Sequence, residues 1–251
     1  MEKSDYIYGI RAVMEAIEAG KEIDKIFIAK DLQGELAAEL IGLARQNHVV
    51  MQRVPLERIN RITRKNHQGV IAMMSAITYH RLEHLVPELY EAGMLPFIVV
   101  LDGITDVRNF GAIARTCECA GVDAIVIPQH GSVSVGGDAI KTSAGALHHI
   151  PVCRVGSTAW AVKFLKENGY NVAAVTEKSD MNYVEGDYTG PVALVMGAED
   201  TGISEAALDQ CETRVGIPMF GNIGSLNVSV AAGVAIYEVV RQRLNANLEV
   251  V

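Results

Sequence analysis

Apolar positions along the chain fall into two alternating α/β blocks. In the first, Ile10, Val13, Met14 and Ile17 recur at helical spacing across residues 8 to 20, which predicts an amphipathic helix, and KIFIAK (25 to 30) reads as a strand. The pattern repeats. Residues 35 to 47 turn Leu36, Leu40, Leu43 and Ala44 inward as a second helix, HVVMQRV reads as a strand, the basic segment that follows as a short helix, and GVIAMMSA as a closing strand. Residues 77 to 95 carry no strong strand signal, and Pro87 and Pro96 accompany a helix expected at 82 to 92, so this stretch reads as a linker.

The second block opens with PFIVVLD, an unbroken run of the kind buried on both faces of a parallel sheet. DAIVIP (123 to 128), HIPVCRV (149 to 155), NVAAV (171 to 175), PVALVMG (191 to 197) and TRVGIP (213 to 218) follow as further strands. They alternate with helices expected at 109 to 121, 157 to 168 and 225 to 244. The fold class is α/β, with a small domain over 1–76, a linker over 77–95 and a Rossmann-like parallel-sheet domain over 96–251. Ligands in such sheets sit beyond the carboxyl ends of the strands.

Composition narrows the class. With 251 residues and 49% hydrophobic content the chain can bury one large core or two modest ones. The N-terminal MEKSDYIYG holds no apolar signal segment and the longest apolar runs are too short to span a bilayer, so the expectation is a cytoplasmic protein without a membrane partner. Cys117, Cys119, Cys153 and Cys211 have neither zinc-ligand spacing nor the density of a disulfide scaffold; they read as reduced, mostly buried thiols, and no metal is expected. The net charge of −8 argues against attraction of nucleic acid by the whole surface, the more so over residues 96 to 251 with 10 Lys and Arg against 17 Asp and Glu. RNA binding would have to be local. The candidate is ERINRITRKNHQG (57 to 69), where Arg58, Arg61, Arg64 and Lys65 gather near one helical face, a pattern that by itself more commonly marks a solvated helix face.

Three loops at expected strand ends carry candidate chemistry. In DGITDVRNFGAIARTCECAG (102 to 121), Asn109 opens a helix, Gly111 and Ala112 permit close packing, and Arg115 lies inside, on the buried side. There it either pairs with a structural carboxylate or aims a guanidinium at a phosphate or oxyanion. In MGAEDTGIS (196 to 204), Glu199 follows a buried strand between glycines, and Asp200 could cap the helix starting near Ser204. In IPMFGNIGSLNVSVA (217 to 231), Gly221 and Gly224 let backbone approach a ligand, and Ser225, Asn227 and Ser229 supply short polar groups. This stretch reads either as a capped strand-to-helix turn or as a loop that holds a polar ligand. The glycine-rich GSVSVGG (131 to 137) lacks dinucleotide spacing and reads as a mobile loop. Residues 102 to 111 hold no G-x-G-x-x-G run, which counts against a nucleotide-dependent oxidoreductase.

Taken together, NFGAIART (109 to 116), LVMGAEDTGIS (194 to 204) and IPMFGNIGSLNVSVAAGVAIYE (217 to 238) resemble, in order and spacing, the signature motifs of the SpoU/TrmH family of RNA 2'-O-ribose methyltransferases. YGIRAVMEAI and HQGVIAMM resemble the ribosomal-protein-like RNA-binding domain of the rRNA-directed branch. The resemblance implies S-adenosylmethionine as methyl donor, a deep trefoil knot in the catalytic domain, and a homodimer packed through the last long helix. It implies main-chain cofactor contacts at Gly197, Ile217 and Leu226. Arg115 becomes the central catalytic residue, with Asn109 and Glu199 holding it and the nucleotide, and Ser225 and Asn227 lining the site; Ser229 stays open between the site and helix packing. A guanidinium is a poor base at neutral pH, so physical chemistry favours Arg115 as a phosphate clamp and alkoxide stabiliser. The implied target is a guanosine of large-subunit rRNA. A tRNA target and a catalytically inactive RNA-binding relative are the alternatives, the second disfavoured because all five motif side chains are present.

Overall fold

Runs of β-branched residues without a polar break are stable as strands only when both faces are covered, and here they become the middle of a parallel sheet. The computed structural model describes residues 6–179 and 181–246. They divide into two compact units: residues up to Thr78 together with Ser134–Asp138, and Tyr79–Val133 together with residues from Ala139 on.

The first unit runs β1 (Tyr6–Tyr8), α1 (Ile10–Glu18), β2 (Ile23–Ala29), α2 (Glu35–Gln46), β3 (Met51–Val54), α3 (Leu56–Ile62) and β4 (Val70–Met74). Its sheet order is β1-β4-β2-β3, with β4 antiparallel to both neighbours and β2 parallel to β3. α1 and α2 bury Val13, Ile17, Leu40 and Ala44 on one face against Ile26, Ile28, Val70 and Ala72. The opposite face, with Phe27, Ala29, Val54 and Ile71, receives Ile59 of α3. The helix expected from residue 8 begins at Ile10, because Tyr6–Tyr8 pair with β4 as an edge strand.

The second unit holds β5 (Tyr79–His80), α4 (Leu82–Glu91), β6 (Phe97–Asp102), α5 (Val107–Cys119), β7 (Ala124–Pro128), α6 (Gly137–Thr142, whose first two residues belong to the first unit), β8 (Val152–Val155), α7 (Thr158–Glu167), β9 (Asn171–Val175), β10 (Val192–Gly197), α8 (Glu205–Leu208), β11 (Thr213–Val215) and α9 (Val228–Asn245). All neighbours in its seven-stranded sheet, ordered β11-β9-β10-β6-β7-β8-β5, are parallel. Leu82, Leu85 and Val86 of α4, Ala161, Val162 and Leu165 of α7 and Ala207 of α8 cover one face; α9 packs against β10 and α5. From β6 the chain steps outward to β7 and β8, then returns to lay β10 on the other side of β6. The carboxyl ends of β9, β10 and β11 thus lie side by side, with β10 next to β6 at the point where strand order reverses.

The structure revises several expectations. Within residues 77–95, Tyr79 and His80 pair with Val152 and Cys153 as an edge strand of the large sheet. Within residues 131–137, whose end glycines are exposed, Val133 and Val135 are buried, and the Val133 N–H donates to the Ile104 carbonyl at 3.0 Å. The last helix starts at Val228 in place of 225, and β11 stops at Val215. Cys117, Cys153 and Cys211 are buried free thiols and Cys119 is exposed; burial pushes Cys153 up to about 12 and Cys211 to about 11. Among the described residues no helix is long and apolar enough to cross a membrane.

Near the end of α9, Arg243 is 5% exposed. Its guanidinium donates to the carbonyls of Leu95 (2.9 Å), Gly190 (3.0 Å), Pro96 (3.2 Å) and Tyr188 (3.4 Å), tying the helix to the segments that lead into β6 and β10. Burial holds its pKa below the usual arginine value, against the pull of the Asp123 carboxylate. Arg243→Met should remove the donors from two buried and two part-buried carbonyls and lower unfolding stability by about 3 kcal/mol. Denaturant unfolding of both proteins checks this, and an unchanged midpoint would refute it.

Candidate active site

Gly197 ends β10, and the chain folds back at once. Ala198 and Gly202 exchange both main-chain hydrogen bonds (3.1 and 2.9 Å), which closes a tight loop with Glu199 at its tip. A Cβ on Gly197 would stand 2.1 Å from the Gly202 carbonyl carbon and 2.2 Å from the Ile203 nitrogen, so no other residue fits this backbone. Asp102, the buried last residue of β6, fixes where the loop rejoins the fold: its carboxylate accepts from the Ser204 N–H at 2.7 Å and the Thr158 hydroxyl at 2.6 Å. Asp102 was not picked out from sequence. Its signal was a carboxylate closing an unbroken apolar strand, where an unpaired charge would be costly.

The second element is the start of α5. Asp106, not Asn109, caps this helix, accepting from the N–H groups of Arg108 (2.8 Å) and Asn109 (2.9 Å). Thr142 braces the same turn by donating its hydroxyl to the Val107 carbonyl at 3.1 Å. The expected close packing at Gly111 is present, since a Cβ there would overlap the Thr142 side chain at 2.2 Å.

Asn227 joins these pieces. As the N-cap of α9, its Oδ1 accepts from the Ser229 N–H at 3.0 Å and the Ser229 hydroxyl at 2.5 Å. Its Nδ2 donates to Asn109 Oδ1 at 3.0 Å and to Glu199 Oε1, which also accepts from the Val228 N–H at 3.2 Å. Three loops of different strands therefore meet on one amide. Asp200 and Ser204 make no side-chain cap on α8.

Beside this cluster lies a cleft of about 660 Å3, counting its open mouth, lined by Thr176 and Glu177 after β9, Met196–Glu199 at β10, Ile217 and Met219 after β11, and Gly224–Leu226. Ile217 and Leu226 enter no main-chain hydrogen bond among the described residues, so both present free donors and acceptors. Gly221 and Gly224 are open: a Cβ at either would meet nothing within 4 Å, so the chain's own packing does not require glycine there. Ser225 is exposed at the rim.

Residues 96–237 match the SpoU rRNA methylase family, and residues 6–80 match the RNA 2'-O ribose methyltransferase substrate-binding family. A Staphylococcus saprophyticus protein named for the TrmH family of tRNA/rRNA methyltransferases is 36% identical over 94% of this chain and 95% of its own length. The chain belongs to the SpoU/TrmH family. It is an S-adenosylmethionine-dependent RNA methyltransferase. Among solved structures, an S-adenosylmethionine-bound rRNA methyltransferase from Sinorhizobium meliloti aligns with TM-score 0.60 and 24% identity, covering 94% of this chain and 86% of that one. A TrmH/SpoU tRNA modifying enzyme from A. aeolicus aligns with TM-score 0.56 and 29% identity, covering 66% and 86%. The second unit has the trefoil-knotted fold of SPOUT methyltransferases.

The SpoU/TrmH cofactor carries a purine, a ribose and a sulfonium, and the cleft suits it: main-chain donors and acceptors for the ring, apolar walls, and carboxylates rather than cations near a positive sulfur. When bound, S-adenosylmethionine supplies an activated methyl group. Arg115 departs from expectation. It is exposed on α5, not on the buried side, and has no hydrogen bond or ion pair among the described residues, so it is not joined to the Asn109–Asn227–Glu199 cluster.

In the first unit, Arg58 and Arg61 lie on α3, but Arg64 and Lys65 fall beyond it, since the helix ends at Ile62 and Thr63 is extended. All four are exposed. The Arg58 guanidinium sits 4.9 Å from the centroid of Phe27, and the Lys65 ammonium 5.6 Å from that of Tyr8.

Gly197→Ala should force the 198–203 backbone outward and weaken S-adenosylmethionine binding at least tenfold in calorimetry. Wild-type affinity would mean that the close approach has no bearing on the cleft.

Proposed function

We propose that this methyltransferase modifies a ribose 2'-hydroxyl of large-subunit rRNA in the cytoplasm, with a guanosine as the expected nucleotide. The observation that carries the reading is the meeting of Asn109, Glu199 and Asn227 at the rim of a main-chain-lined cleft beyond β9, β10 and β11. Gly197, Ile217 and Leu226 bind the cofactor through backbone groups, Ser225 and Asn227 line the reaction space, and Asn109 and Glu199 hold the nucleotide. The task is alignment: the hydroxyl must lie in line behind the sulfur–methyl bond and lose its proton as the new C–O bond forms. Arg115, exposed and without a protein partner among the described residues, is free to clamp a backbone phosphate and stabilise the developing alkoxide. Arg58, Arg61, Arg64 and Lys65 bind RNA phosphates on the first unit.

An rRNA target is supported by coverage. The relative titled an rRNA methyltransferase aligns along both units, whereas the tRNA modifying enzyme aligns with a share close to the second unit alone. Mapping 2'-O-methyl groups on total RNA with and without the protein tests target and chemistry together; a new mark on tRNA alone would replace rRNA as the substrate. Arg115→Ala should abolish methyl transfer while leaving cofactor affinity within twofold of wild type, and normal turnover in that variant would sink its role.

Homodimerisation through the second unit is supported by α9, where Val230, Tyr237 and Leu244 recur every seven residues and are 52%, 51% and 60% exposed. Solvent gains nothing from such a stripe, and a second copy would cover it. Tyr237→Glu should shift the protein from dimer to monomer in sedimentation; a monomeric wild type would refute the assembly.

A further inference from the structure

The first unit's sheet has one face fully roofed and one only partly so. α1 and α2 cover the first, while on the second α3, a helix of seven residues, packs its Ile59 over β2 and β3. Strand register sets out what remains. Tyr6 stands opposite Met73, and Tyr8 opposite Ile71, which in turn faces Phe27. Because residues two apart share a face, Tyr6 and Tyr8 project together from edge strand β1, with Ile7 turned into the opposite core. Both tyrosines and Met73 are half-buried, so each leaves part of its surface in solvent, and the two rings lie 6.3 Å apart.

Two cations meet the aromatic side chains of this face. Lys65 reaches the Tyr8 ring and Arg58 the Phe27 ring. Residues 53 to 65 carry Arg53, Arg58, Arg61, Arg64 and Lys65 against a single carboxylate, Glu57, in a chain of net charge −8. Phosphate binding alone asks only for cations. Two aromatic rings tilted by 48° to each other on an open sheet face, with the Lys65 ammonium over that of Tyr8 and exchangeable for a base, add a surface on which bases stack while phosphates pair with the displaced cation. A duplex hides its base faces within its own stack, so only unpaired nucleotides can use the rings.

We infer that Tyr6 and Tyr8 form a base-stacking platform through which the first unit selects unpaired RNA, a loop or single strand, over duplex. The inference rests on reading this unit as the RNA-substrate domain. It names Tyr6 and Tyr8 as specificity residues and assigns Arg58 and Lys65 to the phosphates flanking the stacked bases.

The test uses the full-length protein and two fluorescein-labelled RNAs, an unstructured oligonucleotide and a blunt duplex of the same strand, followed by anisotropy. Unpaired RNA should bind at least tenfold more tightly. Tyr6→Leu and Tyr8→Leu keep apolar packing but remove the π face, and each should weaken unpaired-RNA binding about tenfold, leave duplex binding and the salt dependence unchanged, and leave circular dichroism as in wild type. Tyr8→Phe should bind as wild type. Equal affinity for duplex, or leucine variants that hold unpaired RNA as tightly as wild type, would overturn the platform. Methyl transfer run in parallel separates the two readings. Ribose methylation by the wild type with unchanged KM in the leucine variants refutes the platform and leaves the enzyme's role standing. Tyrosine-dependent binding of unpaired RNA without ribose methylation does the reverse.

Discussion

The side-chain amide of Asn227 holds the second unit's site together. One oxygen caps α9 and one nitrogen carries two hydrogens, and both are spent, on Asn109 and on Glu199. The amide's orientation follows from its partners: a main-chain donor on one side, a carboxylate on the other. Without it the Ser229 N–H in the first turn of α9 would lack its acceptor, and two loops from separate strand ends would lose their common anchor. Position along the chain matters little to this arrangement, since the partners lie 118 and 28 residues away.

That anchor works because the sheet delivers its strand ends to one place and because α9 is held at both ends. Arg243 fastens the far end of the helix to four carbonyls at the other end of the sheet. With the axis set, the Val228 N–H points at the Glu199 carboxylate. Gly197 and Asp102 finish the positioning: one lets the return strand come too near for any side chain, the other ties that return to α8 and α7.

Much of this was legible in the order of residues. The long apolar runs at 97–102, 124–128, 171–175 and 192–197 are strands as expected, because a strand covered on both faces leaves no polar break to misread. Two short edges were not legible: β1 and β5 have three and two residues, too few for any period to register, whereas β11 was read within TRVGIP and only ends earlier, at Val215. Arg115 shows a different failure. Phe110, Ile113, Ala114 and Cys117 mark the buried side of α5, and Arg115 falls off it, so the helical period contained the answer that motif position obscured. Asp102 and Thr142 escaped because their roles exist only through contacts with Ser204, Thr158 and Val107.

By itself the sequence determined the α/β class, the parallel sheet and the three glycine-bearing loops, since hydrophobic period and turn chemistry are local properties of the chain. It also identified the family, through motifs whose order and spacing survive without any knowledge of their meeting. Tertiary structure alone decided that Asn109, Glu199 and Asn227 share one hydrogen-bonded cluster, that Arg115 faces solvent, and that β10 inserts between β6 and β9. Strand order and threading leave no mark on local pattern, and general rules of chain topology would have argued against a knot. They are set by which buried surfaces find one another, a property of the folded whole.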